Sequence, residues 1–171
     1  PKQLIMASGI YTKVKLHPFY QEFLRGYFQQ HELVFKFPKK HDLLTRLEQF
    51  VSIQPENRET DWISDKDCNA FLIELPYMEH KDPFYYNYIS QNKSRLYAHR
   101  VREFFRDVYH EFVGRLERDG FYREEIIYIF LEEFHISPDY TDWLKKELYL
   151  YKKSLSARKH RKKRKKSHKL N

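Results

Sequence analysis

The chain has one cysteine, Cys68, among 171 residues. A single thiol builds no internal disulfide framework, and it excludes a zinc site made mainly of thiolates. With only 4 glycines and 7 prolines, the body contains no flexible or Pro-rich linker. No apolar run approaches the roughly 20 residues a helix needs to cross a bilayer, so no membrane partner is expected. Leu4-Ile5-Met6 gives way at once to polar residues, unlike a secretory signal. Catalytic signatures are missing as well. The nine histidines form no HExxH and no pair with cysteine at zinc spacing, and there is no Gly-rich phosphate loop or GxSxG. Asp61, Asp65 and Asp67 share a loop with Trp62, but the spacing lacks the glycine and closing glutamate of an EF-hand. Glu74 is near Asp61 and Asp67 in sequence, and nothing further links them. The expectation is therefore a non-enzymatic protein with no metal and no cofactor.

What is present is aromatic and unevenly charged. Hydrophobic residues make up 41% of the chain and Phe, Tyr and Trp 18%, which suits a packed core or a stacking surface and argues against disorder. The formal charge is +8, yet no acidic residue follows Glu147. Eleven of the 32 Lys and Arg lie at or beyond Lys152, leaving 21 basic against 24 acidic residues, a body of net charge −3. The positive charge belongs to the C-terminus. A lone thiol fits a reducing compartment, so the chain reads as cytoplasmic, or nuclear in a eukaryote, or enclosed in a particle.

Periodicity gives an α+β, mainly helical fold with a small three-strand layer and about five helices. Residues 1–9 form an arm. Ile10 to Leu16 alternates as a half-buried strand, Pro18 opens a helix, and Phe19, Phe23, Leu24, Tyr27 and Phe28 follow at helical spacing. The unit recurs: Leu33, Phe35 and Phe37 alternate up to Pro38, and Leu43, Leu44, Leu47, Phe50 and Val51 mark a helix. Phe71, Ile73 and Leu75 form a third strand before Pro76. The connections are too long to fix the strand order.

Tyr77 to Tyr88 is crowded with rings. These either stack on bases, as in single-strand binders, or cover the edge of the core, and the second reading is favoured. A long helix from Gln91 to Asp119, capped by Ser90 and ended by Gly120, carries Leu96, Tyr97, Val101, Phe104, Phe105, Val108, Phe112, Val113 and Leu116 as its apolar stripe. Lys93, Arg95, Arg100 and Arg102 form a basic edge along it. Glu103 and Asp107 stand among these cations and are able to neutralise them.

The core is expected to run from 10 to 120, followed by a helix pair over 121–153 and a disordered basic tail over 154–171. Ile126, Ile127, Phe130, Leu131 and Phe134 bury one helix; Ser137 caps and Pro138 opens the next, which docks through Trp143, Leu144 and Leu148 with Leu150 or Tyr151. Tyr122 to Lys153 resembles the helix-turn-helix of DNA-binding proteins of phages and mobile elements, including activators of the Mor type. The resemblance implies a second helix that meets DNA, here through Lys145, Lys146, Tyr149, Lys152 and Lys153. The turn lacks the usual glycine, and the second helix starts with Asp139 and Asp142 where base contacts normally cluster. An αα-hairpin that only completes a core is the other reading.

Beyond the pair, Arg158, Lys159, Arg161, Lys162, Lys163, Arg164, Lys165 and Lys166 form a run that would neutralise phosphates by counterion release, with little regard to sequence. Nucleic acid is the expected partner, DNA before RNA, with a homo-oligomer permitted by open strand edges. Two functions stand: a regulator or accessory factor of a phage or mobile element, and a structural or assembly protein whose acidic, aromatic body makes protein contacts.

Overall fold

The structure, a computed structural model, describes residues 10–55, 62–64, 67–78 and 80–167, and the side chains of the last helix as far as residue 157. The arm over 1–9, Asp61, Asp65 and the side chains of Arg158 to Lys166 lie outside the described residues. The fold is α+β and mainly helical, with five α-helices and one three-stranded sheet among the described residues.

Alternation builds the sheet. β1 (Tyr11–Lys15) runs antiparallel to β3 (Ala70–Glu74), and β2 (Val34–Phe35) runs parallel to β3 on its other side. The order β1-β3-β2 puts the last strand in the middle. Val14 stands opposite Phe71 and Thr12 opposite Ile73, and all four are buried. Two-residue alternation thus puts one face of each strand in the core. β2 is shorter than the alternation suggests: Phe35 and Phe37 are buried, but Leu33 is exposed rather than facing the core.

The same device begins the first two helices. α1 (Pro18–Tyr27) and α2 (Asp42–Phe50) are each capped by a histidine whose Nδ1 accepts an amide, His17 from Phe19 N–H and His41 from Leu43 N–H, both at 3.2 Å. Each bond satisfies one of the orphan donors at a helix start. Phe19 and Phe23 of α1 meet Phe105 edge-on, with ring centroids 5.0 and 5.2 Å apart. Arg25 ties the chain leading into β2 by donating to the carbonyls of Glu32 and Leu33, while its guanidinium lies over the Phe71 ring.

α3 (Gln91–Arg118) starts at Ser90, whose hydroxyl accepts Lys93 N–H, and ends at Gly120 with φ +92°. Its buried stripe includes Tyr97, Val101, Phe105, Phe112 and Val113. Tyr109, left out of the sequence pattern, is fully buried, whereas Leu96, included in it, is 57% exposed. With Ser94 and Tyr97 both buried, the inward stripe at the helix start passes through 94, 97 and 101, and Leu96 falls outside it.

The chain forms two compact units that divide inside α3, one through Arg106 and one from Asp107. The sequence reading puts its boundary at Gly120, because an uninterrupted helix gives no local sign that its packing partners change. In the second unit the later half of α3 packs with α4 (Arg123–Glu133) and α5 (Thr141–Ser167). Phe130 is its centre, with ring centroids 4.8 Å from Tyr109, 5.1 Å from Phe112 and 4.6 Å from Phe134.

Candidate nucleic-acid interface

The turn between α4 and α5 is built as its residues require. His135 takes a left-handed conformation, φ +50°, where a glycine is usual. Its N–H donates to Glu132 O and Ile136 N–H to Leu131 O, the paired bonds of a Schellman ending, with Ile136 buried beneath. Ser137 then accepts Asp139 N–H, and Pro138 opens a 3₁₀ turn (Pro138–Tyr140) that leads into α5. Leu144 and Leu148 are buried, and Tyr109 donates its hydroxyl to Leu144 O at 3.3 Å. Burial, with the charge of the nearby Glu147, raises the pKa of that phenol well above its ordinary value. Tyr151 rather than Leu150 completes the docked face, since Leu150 is exposed.

Opposite that face α5 presents Lys145, Lys146, Tyr149 and Lys153 to solvent, spaced three and four residues apart on one side of the helix. Tyr149 is 65% exposed. Lys146 and Lys153 make no ion pair among the described residues. Lys145 stands 3.7 Å from Asp142, an exposed pair of little energetic weight. Lys152 differs from its neighbours: it is half-buried and bonded to Glu117, so it closes the unit instead of facing outward. The helix continues without interruption to Ser167, past the 153/154 boundary of the sequence reading. No glycine or proline lies between Pro138 and the end of the chain to stop it.

α4 carries the opposite sign. Glu124, Glu125, Glu132 and Glu133 are all exposed, and Glu125 is occupied by Tyr122 N–H at 2.8 Å. Asp139 and Asp142 at the start of α5 are exposed too. A first helix lying across a phosphate backbone would bring these carboxylates toward like charge.

The first unit has its own basic surface. Arg95 and Arg102 are exposed and seven residues apart on α3, with His99 between them on the same face, and neither arginine has an ion-pair partner among the described residues. Arg100 is spent on Glu103 at 2.8 Å, and that hydrogen bond, with the charge behind it, lowers the Glu103 pKa. Lys93 is half-buried.

The crowded aromatic segment is divided: Tyr86 and Tyr88 are half-buried against the body, while its other rings face outward. Tyr77, Phe84 and Tyr85 are exposed; Met78, Pro83 and Ile89 are the buried residues there. The segment is pinned by its backbone and by Lys81. Ser52 and Tyr88 exchange two amide bonds, and Lys81 Nζ donates to Glu48 O and Val51 O at the end of α2. The rings of Tyr77, Phe84 and Tyr85 are left to solvent.

Beside this segment is a cavity of about 210 Å³, lined in part by Tyr11, Lys13, Gln54, Trp62, Asn87 and Tyr88. The Trp62 indole N–H donates to Ile89 O at 2.9 Å and fixes the ring. Trp62 and Tyr88 are distant in sequence, and only the fold brings them together with β1.

Asp67 is engaged as a turn acceptor. It takes Asn69 N–H and Nδ2 at 2.9 Å each and pairs with Lys15, contacts that lower its pKa to about 2. Glu74 pairs with Lys36 at 3.0 Å. Among the described residues no three His, Cys, Asp or Glu are grouped to hold a metal ion, and no helix is long and apolar enough to cross a membrane. No family model, curated protein or solved structure matches this chain.

Proposed function

We propose that this chain is a non-enzymatic nucleic-acid-binding protein, with DNA as the preferred partner, acting as a regulator or accessory factor of a phage or mobile element. One observation carries the reading. The exposed side of α5, with Lys145, Lys146, Tyr149 and Lys153, leads along an unbroken helix into a segment holding eight Lys and Arg between Arg158 and Lys166. Such a helix presents cations to phosphates at regular intervals, and its affinity comes from counterion release. The exposed carboxylates of α4 and of the α5 start favour contact along the middle and end of α5 over insertion of its N-terminus into a groove.

The test is duplex binding as a function of salt, by the wild-type chain and by a chain in which the Lys and Arg of 158–166 are Gln. The reading expects a steep salt dependence in the wild type, falling by close to one unit of slope per phosphate contact removed. Binding that is absent in the wild type, or equally salt-sensitive in both, refutes it.

A second reading, a structural or assembly protein of a nucleic-acid-containing particle, is favoured by the exposed rings of Tyr77, Phe84 and Tyr85 on a body of net negative charge. In that case all nucleic-acid binding disappears with the tail charges, and the body self-associates or captures a protein partner.

A further inference from the structure

We infer that the first unit binds a single nucleic-acid strand of its own, with one base held in the cavity beside β1 and the following phosphates laid toward the start of α3. This deepens the nucleic-acid reading above by naming a single strand as what the folded body takes, and it depends on none of the basic tail.

β1 is an edge strand of the sheet. Leu16 N–H donates to Asn69 O and Leu75 N–H to Ile10 O, so the even-numbered residues of this strand exchange bonds with β3. Antiparallel geometry then turns the N–H and C=O of Tyr11, Lys13 and Lys15 to the other side. On that side Lys15 N–H donates to Ser94 Oγ at 2.9 Å, bringing the first turn of α3 to the edge. Tyr11 and Lys13, further back, line the cavity. Lys13 to Lys15 is two strand residues, about 7 Å, comparable to the separation of successive phosphates along an extended strand. Lys15, bonded to Ser94, is thus two strand residues from Lys13 at the cavity, and Lys93 and Arg95 flank Ser94 at the start of α3.

The lining chemistry selects the occupant. Tyr11, Trp62 and Tyr88 supply aromatic rings, and Gln54 and Asn87 supply carboxamides able to read the edge of a base. Among the described residues that line the cavity none is acidic. At about 210 Å³ it has room for one planar ring system and is too small for several residues of an extended peptide. Asn87 Nδ2 donates to Phe84 O at 2.9 Å, which ties the cavity wall to the turn bearing the exposed Phe84 and Tyr85 rings, ready for a neighbouring base. Arg95 and Arg102 continue the cationic side along α3.

Trp62 reports directly on occupancy. In the full chain carrying Trp143→Phe it is the sole tryptophan. A short oligothymidylate is expected to quench its emission saturably, and a hairpin duplex of equal length to leave it unchanged. Tyr88→Ala, and separately the surface variant Gln54→Ala with Arg95→Ala, are expected to weaken single-strand binding on the order of tenfold while leaving duplex binding as it was. The surface variant keeps the test intact if Tyr88→Ala unfolds the chain. Single-strand binding with no change at Trp62, equal losses for single strand and duplex, or quenching by an extended peptide in place of the oligonucleotide overturns the inference while leaving tail-mediated binding standing. Loss of binding to both nucleic acids in the wild type refutes the broader reading as well.

Discussion

Tyr151 lies face to face on His110, with ring centroids 3.6 Å apart and planes 10° from parallel. This stack is the last ring contact between α5 and α3 among the described residues, and Lys152 bonded to Glu117 stands beside it. Together they join the middle of α5 to the end of α3. Tyr151→Ala is expected to destabilise the chain by about 1–2 kcal/mol, from lost stacking and burial, and Tyr151→Phe by much less. Urea unfolding measures both. Equal effects from the two variants would show that the ring stack contributes nothing.

Gln29 marks the end of α1 in the same way that Gly120 ends α3. Its φ is +53°, its N–H donates to Gly26 O, and Gln30 N–H donates to Arg25 O. An exposed residue in this left-handed conformation carries a steric cost that glycine avoids. Gln29→Gly is expected to stabilise the chain by about 0.5–1 kcal/mol, and Gln29→Val to destabilise it by a similar amount. A lower urea midpoint for the glycine variant would falsify this account of the turn.

The His41 cap makes stability pH-dependent. Nδ1 accepts Leu43 N–H only when it carries no proton, and the ring is packed against Phe37 and Phe104. Burial lowers its pKa below the ordinary 6.5, with Asp42 opposing in part. The unfolded chain therefore takes up the proton first. The cap contributes fully above about pH 6.5 and is lost as the pH falls through the lower folded-state value. His41→Asn keeps a capping oxygen and removes the titration. The difference in stability between wild type and His41→Asn is expected to widen in favour of the variant as pH drops from about 7 to about 5. A difference that stays flat across that range rejects the cap as the cause.

Much of this fold is written in local chemistry. The alternation of Val14 and Leu16, the Ser90 cap, Pro18 as first helical residue and the Phe130 face of α4 all depend on near neighbours and are found as expected, while Ser137 and Pro138 begin a 3₁₀ turn ahead of α5. What escaped depends on partners distant in sequence. β3 lies between β1 and β2 because of pairing across more than thirty residues, and no periodicity encodes that order. Leu96 and Tyr109 exchanged places because a wide apolar stripe does not show which of its edges meets the core. His is seldom an N-cap, so His17 and His41 carry no local sign of that role, and a left-handed turn without glycine leaves His135 equally unmarked. The basic residues were all visible, but their pairing was not: Arg100 and Lys152 are engaged, whereas Arg95, Arg102, Lys146 and Lys153 face outward.

That division of the cations separates two ways in which the helix pair can meet a duplex. If α4 crosses the phosphate backbone, its exposed Glu124 and Glu132 stand in the interface, and Glu124→Lys with Glu132→Lys should strengthen binding and steepen its salt dependence. If contact runs along the exposed side of α5, those changes are nearly silent, while Lys146→Glu with Lys153→Glu removes two phosphate contacts and repels the backbone. The second outcome is expected, with a loss on the order of tenfold or more at low ionic strength and a salt slope reduced by about two. Both pairs sit on exposed helix surface, so neither should shift the unfolding midpoint by more than about 0.5 kcal/mol. Equal duplex affinity in the α5 variant and wild type places the contact elsewhere and confines the role of α5 to packing.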